Sequence, residues 1–208
     1  MQLEIQQYKG IARLRKTLLL IQTLYEKGIS SKIGQGNFVT KADAMPPDMA
    51  PSTFSHYMKK GIEFGIIKQD DAGAYRLNRD AIIELERLLY PLDPLDANPL
   101  SYKQAAALLA PFATFRGWLA CIVVTNAVEI NLGGICYACN LFCEESGIKA
   151  KSGQPFHFHQ GNMSATMKAL IETGIIGKRK QGRDSIHFVA DAAMLGKLAG
   201  LGKMYFKG

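Results

Sequence analysis

Apolar residues recur every four positions at Phe54, Met58, Ile62 and Ile66, with Gly65 just before the last of them. This spacing predicts an amphipathic helix that stops at a glycine in a left-handed cap. Ile66-Ile67 then opens a short strand. Lys68-Gln-Asp-Asp-Ala-Gly73 reads as a glycine-tipped turn, and Ala74-Tyr-Arg-Leu77 as the returning strand. The same pattern comes back a little over a hundred residues later. Met163, Met167, Leu170 and Ile171 form the stripe, and Gly174 the cap. Ile175-Ile176 opens a strand, Gly177-Lys-Arg-Lys-Gln-Gly182 turns, and Ser185-Ile-His-Phe-Val189 returns. Aligned over fourteen positions, residues 54–67 and 163–176 are identical at eight: Ser55/Ser164, Met58/Met167, Lys59/Lys168, Ile62/Ile171, Glu63/Glu172, Gly65/Gly174, Ile66/Ile175 and Ile67/Ile176. Self-similarity at that distance indicates two copies of one module.

The flanking pattern fills in the rest. Residues 11–27 predict a long helix ending at Gly28, with Arg13, Arg15 and Lys16 on its wet side and a loop over 29–37. Residues 40–45 suggest a short helix stopped by Pro46-Pro47, and Pro51-Ser52 suits the first turn of the helix after it. A further helix is expected over 79–90, with Ile82, Ile83, Leu85, Leu88 and Leu89 on its apolar face. The prolines of Pro91-Leu-Asp-Pro-Leu-Asp-Ala-Asn-Pro99 mark a linker. Ser101 caps a short helix to Ala110, where Pro111 ends it. A long apolar helix over 112–130 is expected to break at Gly133-Gly134. Another helix covers 135–146, an insertion covers 147–161, and a glycine-weakened helix with a basic tail covers 192–207.

Helix, turn, helix and β-hairpin, occurring twice, resembles the winged-helix superfamily. The resemblance covers residues 11–80 and 112–190. It implies a mainly α protein with small β-hairpins (α+β): two tandem winged helix-turn-helix domains, 1–90 and 112–208, joined by a linker and short helix over 91–111. In such folds the second helix of the helix-turn-helix enters the DNA major groove, with its N-terminal residues at base edges. Carried onto this chain, those helices lie near 52–64 and 162–173. The wet side of the first offers Ser52, Thr53, His56, Lys59 and Lys60. The second offers Gln160, Asn162, Ser164, Ala165 and Lys168. Amide side chains suit adenine, and lysine or hydroxyls suit guanine or phosphate.

Charge separates the copies. The chain has 208 residues and a formal net charge of +7. Residues 1–90 hold 13 basic and 10 acidic side chains, 91–148 hold 2 and 5, and 149–208 hold 10 and 3. The last sixty residues thus carry a charge equal to the whole excess, which points to a polyanion partner there. Lys178, Arg179, Lys180 and Arg183 cluster around Gly182 as a cationic wing near 178–183 suited to phosphates. The first wing carries Asp70 and Asp71, which repel phosphate, so the first module either binds through its helix alone or binds protein.

Cys136, Cys139 and Cys143 fall at i, i+3 and i+7, with His157 and His159 downstream. Structural zinc sites pair close ligands on a turn. Three cysteines on one helical stripe among Ile135, Leu141 and Phe142 read as small core residues instead, so no metal and no cofactor is expected. Gly34-Gln-Gly36 lacks both the P-loop lysine and the dinucleotide spacing, and no catalytic constellation stands out: the chain is read as a non-enzyme. The polar start and the interrupted apolar run 118–124 predict neither a leader nor a membrane span, hence a cytoplasmic, nucleoid-associated protein.

The resulting expectation is a sequence-specific duplex-DNA-binding protein, a transcriptional regulator. Its diverged recognition faces favour an asymmetric site. Two other readings stay open. One is similarity to plasmid-type replication initiators. The other is a protein-interaction scaffold like the tandem winged-helix, kleisin-binding subunits of bacterial condensins. A metal- or redox-sensing regulator is a weaker third, and homodimerisation through 112–130 is left open.

Overall fold

The computed structural model describes residues 3–34, 36–89, 100–150, 152–154 and 156–206. It is mainly helical with two small antiparallel sheets, an α+β arrangement. The chain forms two compact units. The first is Leu14–Ala107. The second combines Met1–Arg13 with Leu108–Gly208. This division differs from the expected 1–90, 91–111 and 112–208. The N-terminal segment belongs with the second module, and the helix after the prolines belongs largely with the first. The proline run 91–99 lies outside the described residues.

In the first unit the core is built on α1 (Gln7–Glu26), whose residues from Leu14 on supply buried Leu14, Leu18, Ile21 and Leu24. Gly28, at φ 68°, ends that helix, but no loop follows directly. Ile29 and Ile33 are fully buried, and their pull makes a one-turn helix, α2 (Ile29–Lys32). Thr40 accepts from the Asp43 N–H at the start of α3 (Lys41–Ala44). Then come α4 (Pro51–Glu63), β1 (Ile67–Gln69), β2 (Tyr75–Leu77) and α5 (Arg79–Leu89). Val39 bridges Tyr75 on the edge of β2 away from β1, so β2 is central. Along α5, Ile82, Leu85 and Leu89 are buried, but Ile83 faces out. The next helix, α6 (Tyr102–Leu109), begins in a capping box between Ser101 and Gln104. It is tied to this unit by Tyr102 bonding Glu86 and stacking on Tyr25, and by Arg15 Nε donating to Ala106 O at 3.1 Å.

The second unit repeats the plan on a larger scale: α7 (Phe115–Ala127), β3 (Ile130–Asn131), α8 (Leu132–Glu145), α9 (Gln160–Glu172), β4 (Ile176–Gln181), β5 (Asp184–Val189) and α10 (Ala192–Tyr205). Its sheet order is β3-β5-β4, again with the returning hairpin strand in the centre. The expected break at Gly133-Gly134 falls elsewhere. The long helix stops at Ala127, and both glycines sit in the first turn of α8, where the Asn131 side chain caps the Gly134 N–H at 2.8 Å. The break itself is Val128, at φ 63° and ψ −53° with Glu129 N bonded to Ala127 O at 2.7 Å. This is a three-residue turn rarely adopted by a β-branched side chain.

The repeat is geometrically faithful. α4 and α9 have the same length, and Gly65 and Gly174 adopt φ 75° and 76°. Met58/Met167, Ile66/Ile175 and Ile67/Ile176 are buried in both copies.

The N-terminal segment is integral to the second unit. Trp118 Nε1 donates to Glu4 O at 2.8 Å, and Tyr8 packs edge-on against Phe115. Gly10 of α1 and Gly202 of α10 meet backbone to backbone, and a side chain on either would collide with the other helix. Gly202, whose neighbourhood reads in sequence as a weakness of the last helix, is what allows this approach. Gly202→Val is therefore expected to destabilise the protein by roughly 1–3 kcal/mol through overpacking. Chemical denaturation checks this, and an unchanged midpoint would contradict the contact.

Candidate nucleic-acid interface

The two repeated helices, like the one-turn α2, start without a side-chain cap. α3, α7, α8 and α10 begin with a capping side chain from Thr40, Thr114, Asn131 and Asp191. α4 and α9, preceded by Ala50 and His159, have no side-chain cap. Their first-turn N–H groups are left for water or an anion, where the helix dipole also favours negative charge.

Along α4, Ser52, Thr53, His56 and Lys59 are exposed, while Lys60 is half-buried. Lys60 Nζ is already paired with Glu63 at 2.7 Å and lies over the Phe64 ring. Ser55 accepts from Lys41 Nζ at 3.2 Å. Along α9, Gln160, Asn162, Ser164, Ala165 and Lys168 are all exposed. The Gln160 amide reaches the first turn of α8 beside Gly133, and Lys168 makes a long ion pair of 4.0 Å with Glu172. Asn162 and Ala165 line a groove on the flank of the helix together with Arg116, a residue the sequence pattern did not single out. His157 and His159 lie just before α9, exposed, with their rings 4.6 Å apart.

The hairpins differ in reach. The first has three residues per strand, and the second has six. Asp70 holds the first tip together. Its carboxylate accepts from Ala74 N at 2.8 Å, and its carbonyl accepts from Gly73 N. The acid therefore has a turn-forming job that is independent of any partner. On the second hairpin Gly182, at φ 62°, makes the tip, and Lys178, Arg179, Lys180 and Arg183 are all exposed. Strand alternation separates them. Lys178 stands opposite His187 and Lys180 opposite Ser185, whereas Arg179 stands opposite Ile186 on the other face. Arg179 donates to Glu129 at 2.5 Å and lies over Phe188. Among the described residues, Lys178, Lys180 and Arg183 have no acidic partner within ion-pair distance. The cationic cluster is thus three unpaired charges and one internally neutralised arginine. Glu129, fifty residues away in sequence, was not legible as its partner.

The cysteines are core. Cys121, Cys136, Cys139 and Cys143 are buried, and burial pushes each thiol up, Cys139 to about 12. Protonated thiols pack here as small apolar side chains. Among the described residues no three His, Cys, Asp or Glu side chains converge on a common point, and no helix is long and apolar enough to cross a membrane.

His187 lies buried at the base of the second hairpin, with Nδ1 3.4 Å from Ile130 O. Burial lowers its pKa, the Ile130 contact opposes that weakly, and Lys178 adds to it. The unfolded chain therefore takes up this proton first, near the ordinary pKa of about 6.5. Stability is full above that pH and falls as the pH drops below it, by at most about 1.4 kcal/mol per unit. Thermal melts between pH 7.5 and 5 are expected to show this loss in wild type and a flatter profile in His187→Gln. Equal profiles would contradict the assignment.

In comparisons with known proteins, no family model matches the chain, and no curated protein or solved structure matches it significantly.

Proposed function

We propose that the chain is a sequence-specific duplex-DNA-binding protein made of two winged helix-turn-helix units, acting as a transcriptional regulator. The observation that carries this reading is the long hairpin β4–β5 with its unpaired Lys178, Lys180 and Arg183, in the same unit as the uncapped, exposed start of α9. A helix N-terminus and a cationic ribbon in one module are the two features needed to hold a phosphate backbone while side chains read base edges. The shared sheet order, with the returning strand central in both units, supports the winged-helix reading. Gln160, Asn162 and Ser164 are the base-reading candidates, and Lys168 a phosphate contact. The first unit offers Ser52, Thr53, His56 and Lys59, but its short, acid-tipped hairpin leaves it without a wing contact.

A scaffold reading competes for one reason. Tyr137 is 70% exposed and Leu141 39% exposed, one turn apart on α8, and such a pair suits a protein partner. The replication-initiator subtype shares the DNA chemistry of the main proposal and differs only in process.

Fluorescence anisotropy on duplex DNA across a salt series separates these readings. Each phosphate contact contributes a log–log slope of about 0.9. The triple variant Lys178/Lys180/Arg183→Ala is expected to flatten the slope by roughly 2–3. Glu129→Gln, which frees Arg179, is expected to steepen it by up to about 0.9. Absence of duplex binding at low salt would overturn the proposal in favour of the scaffold. An unchanged slope in the triple variant would remove the wing from it.

A further inference from the structure

Each repeated helix has a groove along the same flank. In the first unit it is lined by Thr53 and Tyr57 of α4 together with Glu26, Lys27 and Asp48. In the second, the aligned positions Asn162 and Thr166 of α9 line a groove of about 310 Å³ with Ala165, Ala169, Thr114 and Arg116. The contrast is electrostatic. The first groove holds two carboxylates and one ammonium, whereas Arg116 is the one charged side chain among the described residues of the second.

Arg116 is held by packing instead of by an acid. Its guanidinium lies 5.8 Å from the centroid of the Phe158 ring, and its Nε is sealed from water with no hydrogen-bond acceptor. A buried donor left unmade costs about 1–3 kcal/mol, and a small turn of the side chain would offer that edge to an acceptor in the groove. Thr114 gives no relief, since its hydroxyl already donates to Pro111 O and accepts from Gly117 N. The side chains of Ala165 and Ala169 are small, and the Asn162 amide adds donors to the lining. A half-buried arginine with no carboxylate, in a concavity with polar donors, matches the geometry of oxyanion recognition.

We propose that this groove is an oxyanion-binding site, taking a phosphate or carboxylate on Arg116. The site stands independently of duplex binding, because free phosphate serves as the probe. Calorimetric titration of the full chain with inorganic phosphate at low ionic strength is expected to show one site per chain. Arg116→Gln should weaken it roughly tenfold or more. Ala165→Glu, at an exposed position, should do the same by placing a carboxylate beside the guanidinium, which keeps the test valid should the arginine variant fold poorly. Lys203→Ala, exposed on α10 and outside the groove, should leave it unchanged. If free phosphate does not bind but Arg116→Gln lowers the duplex salt slope by about 0.9, the oxyanion is a backbone phosphate. Phosphate binding that survives both Arg116→Gln and Ala165→Glu overturns the site. So does absent phosphate binding with an unchanged duplex slope.

Discussion

The reversal at Gly65 and Gly174 is the constraint on which each unit depends. A helix that ends in a left-handed residue turns its chain back sharply, and glycine takes that conformation without a side-chain clash. The turn sends Ile66-Ile67 and Ile175-Ile176 straight into the core. That burial fixes the register of the hairpin strand that follows, because slipping by one residue would expose it. In the first unit Asn78 reinforces the corner by donating to Gly65 O at 2.6 Å. In the second, Ala190 N closes on Ile175 O at 2.9 Å. The position of the hairpin relative to the exposed helix therefore follows from two glycines and four isoleucines.

On that common frame the copies have diverged where they meet solvent. One hairpin is short, with its aspartate used to make the turn. The other is twice as long per strand and ends in unpaired cations. One helix flank groove is acidic, and the other holds a lone arginine. The cores show no such contrast, since Phe54 and Met163, or Met58 and Met167, are equally buried. Burial at these positions is kept even where the residue changes, as from Phe54 to Met163, while the hairpins and grooves differ in length and charge.

The parts of the fold set by local sequence were readable in advance. The repeated helices, their glycine caps, both hairpins and the Ser101 cap all follow from short-range patterns. The parts set by distant contacts were not. Gly133 and Gly134 read as breakers because glycine weakens helix interiors, but a first turn capped by Asn131 tolerates them. The expected loop after Gly28 became α2 because Ile29 and Ile33 have a core to enter. Residues 3–13 join the second unit through Trp118 and the Gly10–Gly202 contact, and nothing near them in sequence signals either partner. The cationic wing was legible as composition, whereas the neutralisation of Arg179 by Glu129 required the fold. Arg116 was missed for the same reason: alone in an uncharged stretch, it gains meaning only once α9 lies beside it.

The proposed duplex-binding surface is α9 together with the β4–β5 hairpin. Amide chemical-shift mapping of the full chain against a short DNA duplex tests it most directly. Shifts are expected to concentrate at the start of α9 and along β4–β5, with the amides around Tyr137 and Leu141 on α8 unmoved. Shifts absent from α9 and the hairpin, or centred on α8, would contradict it.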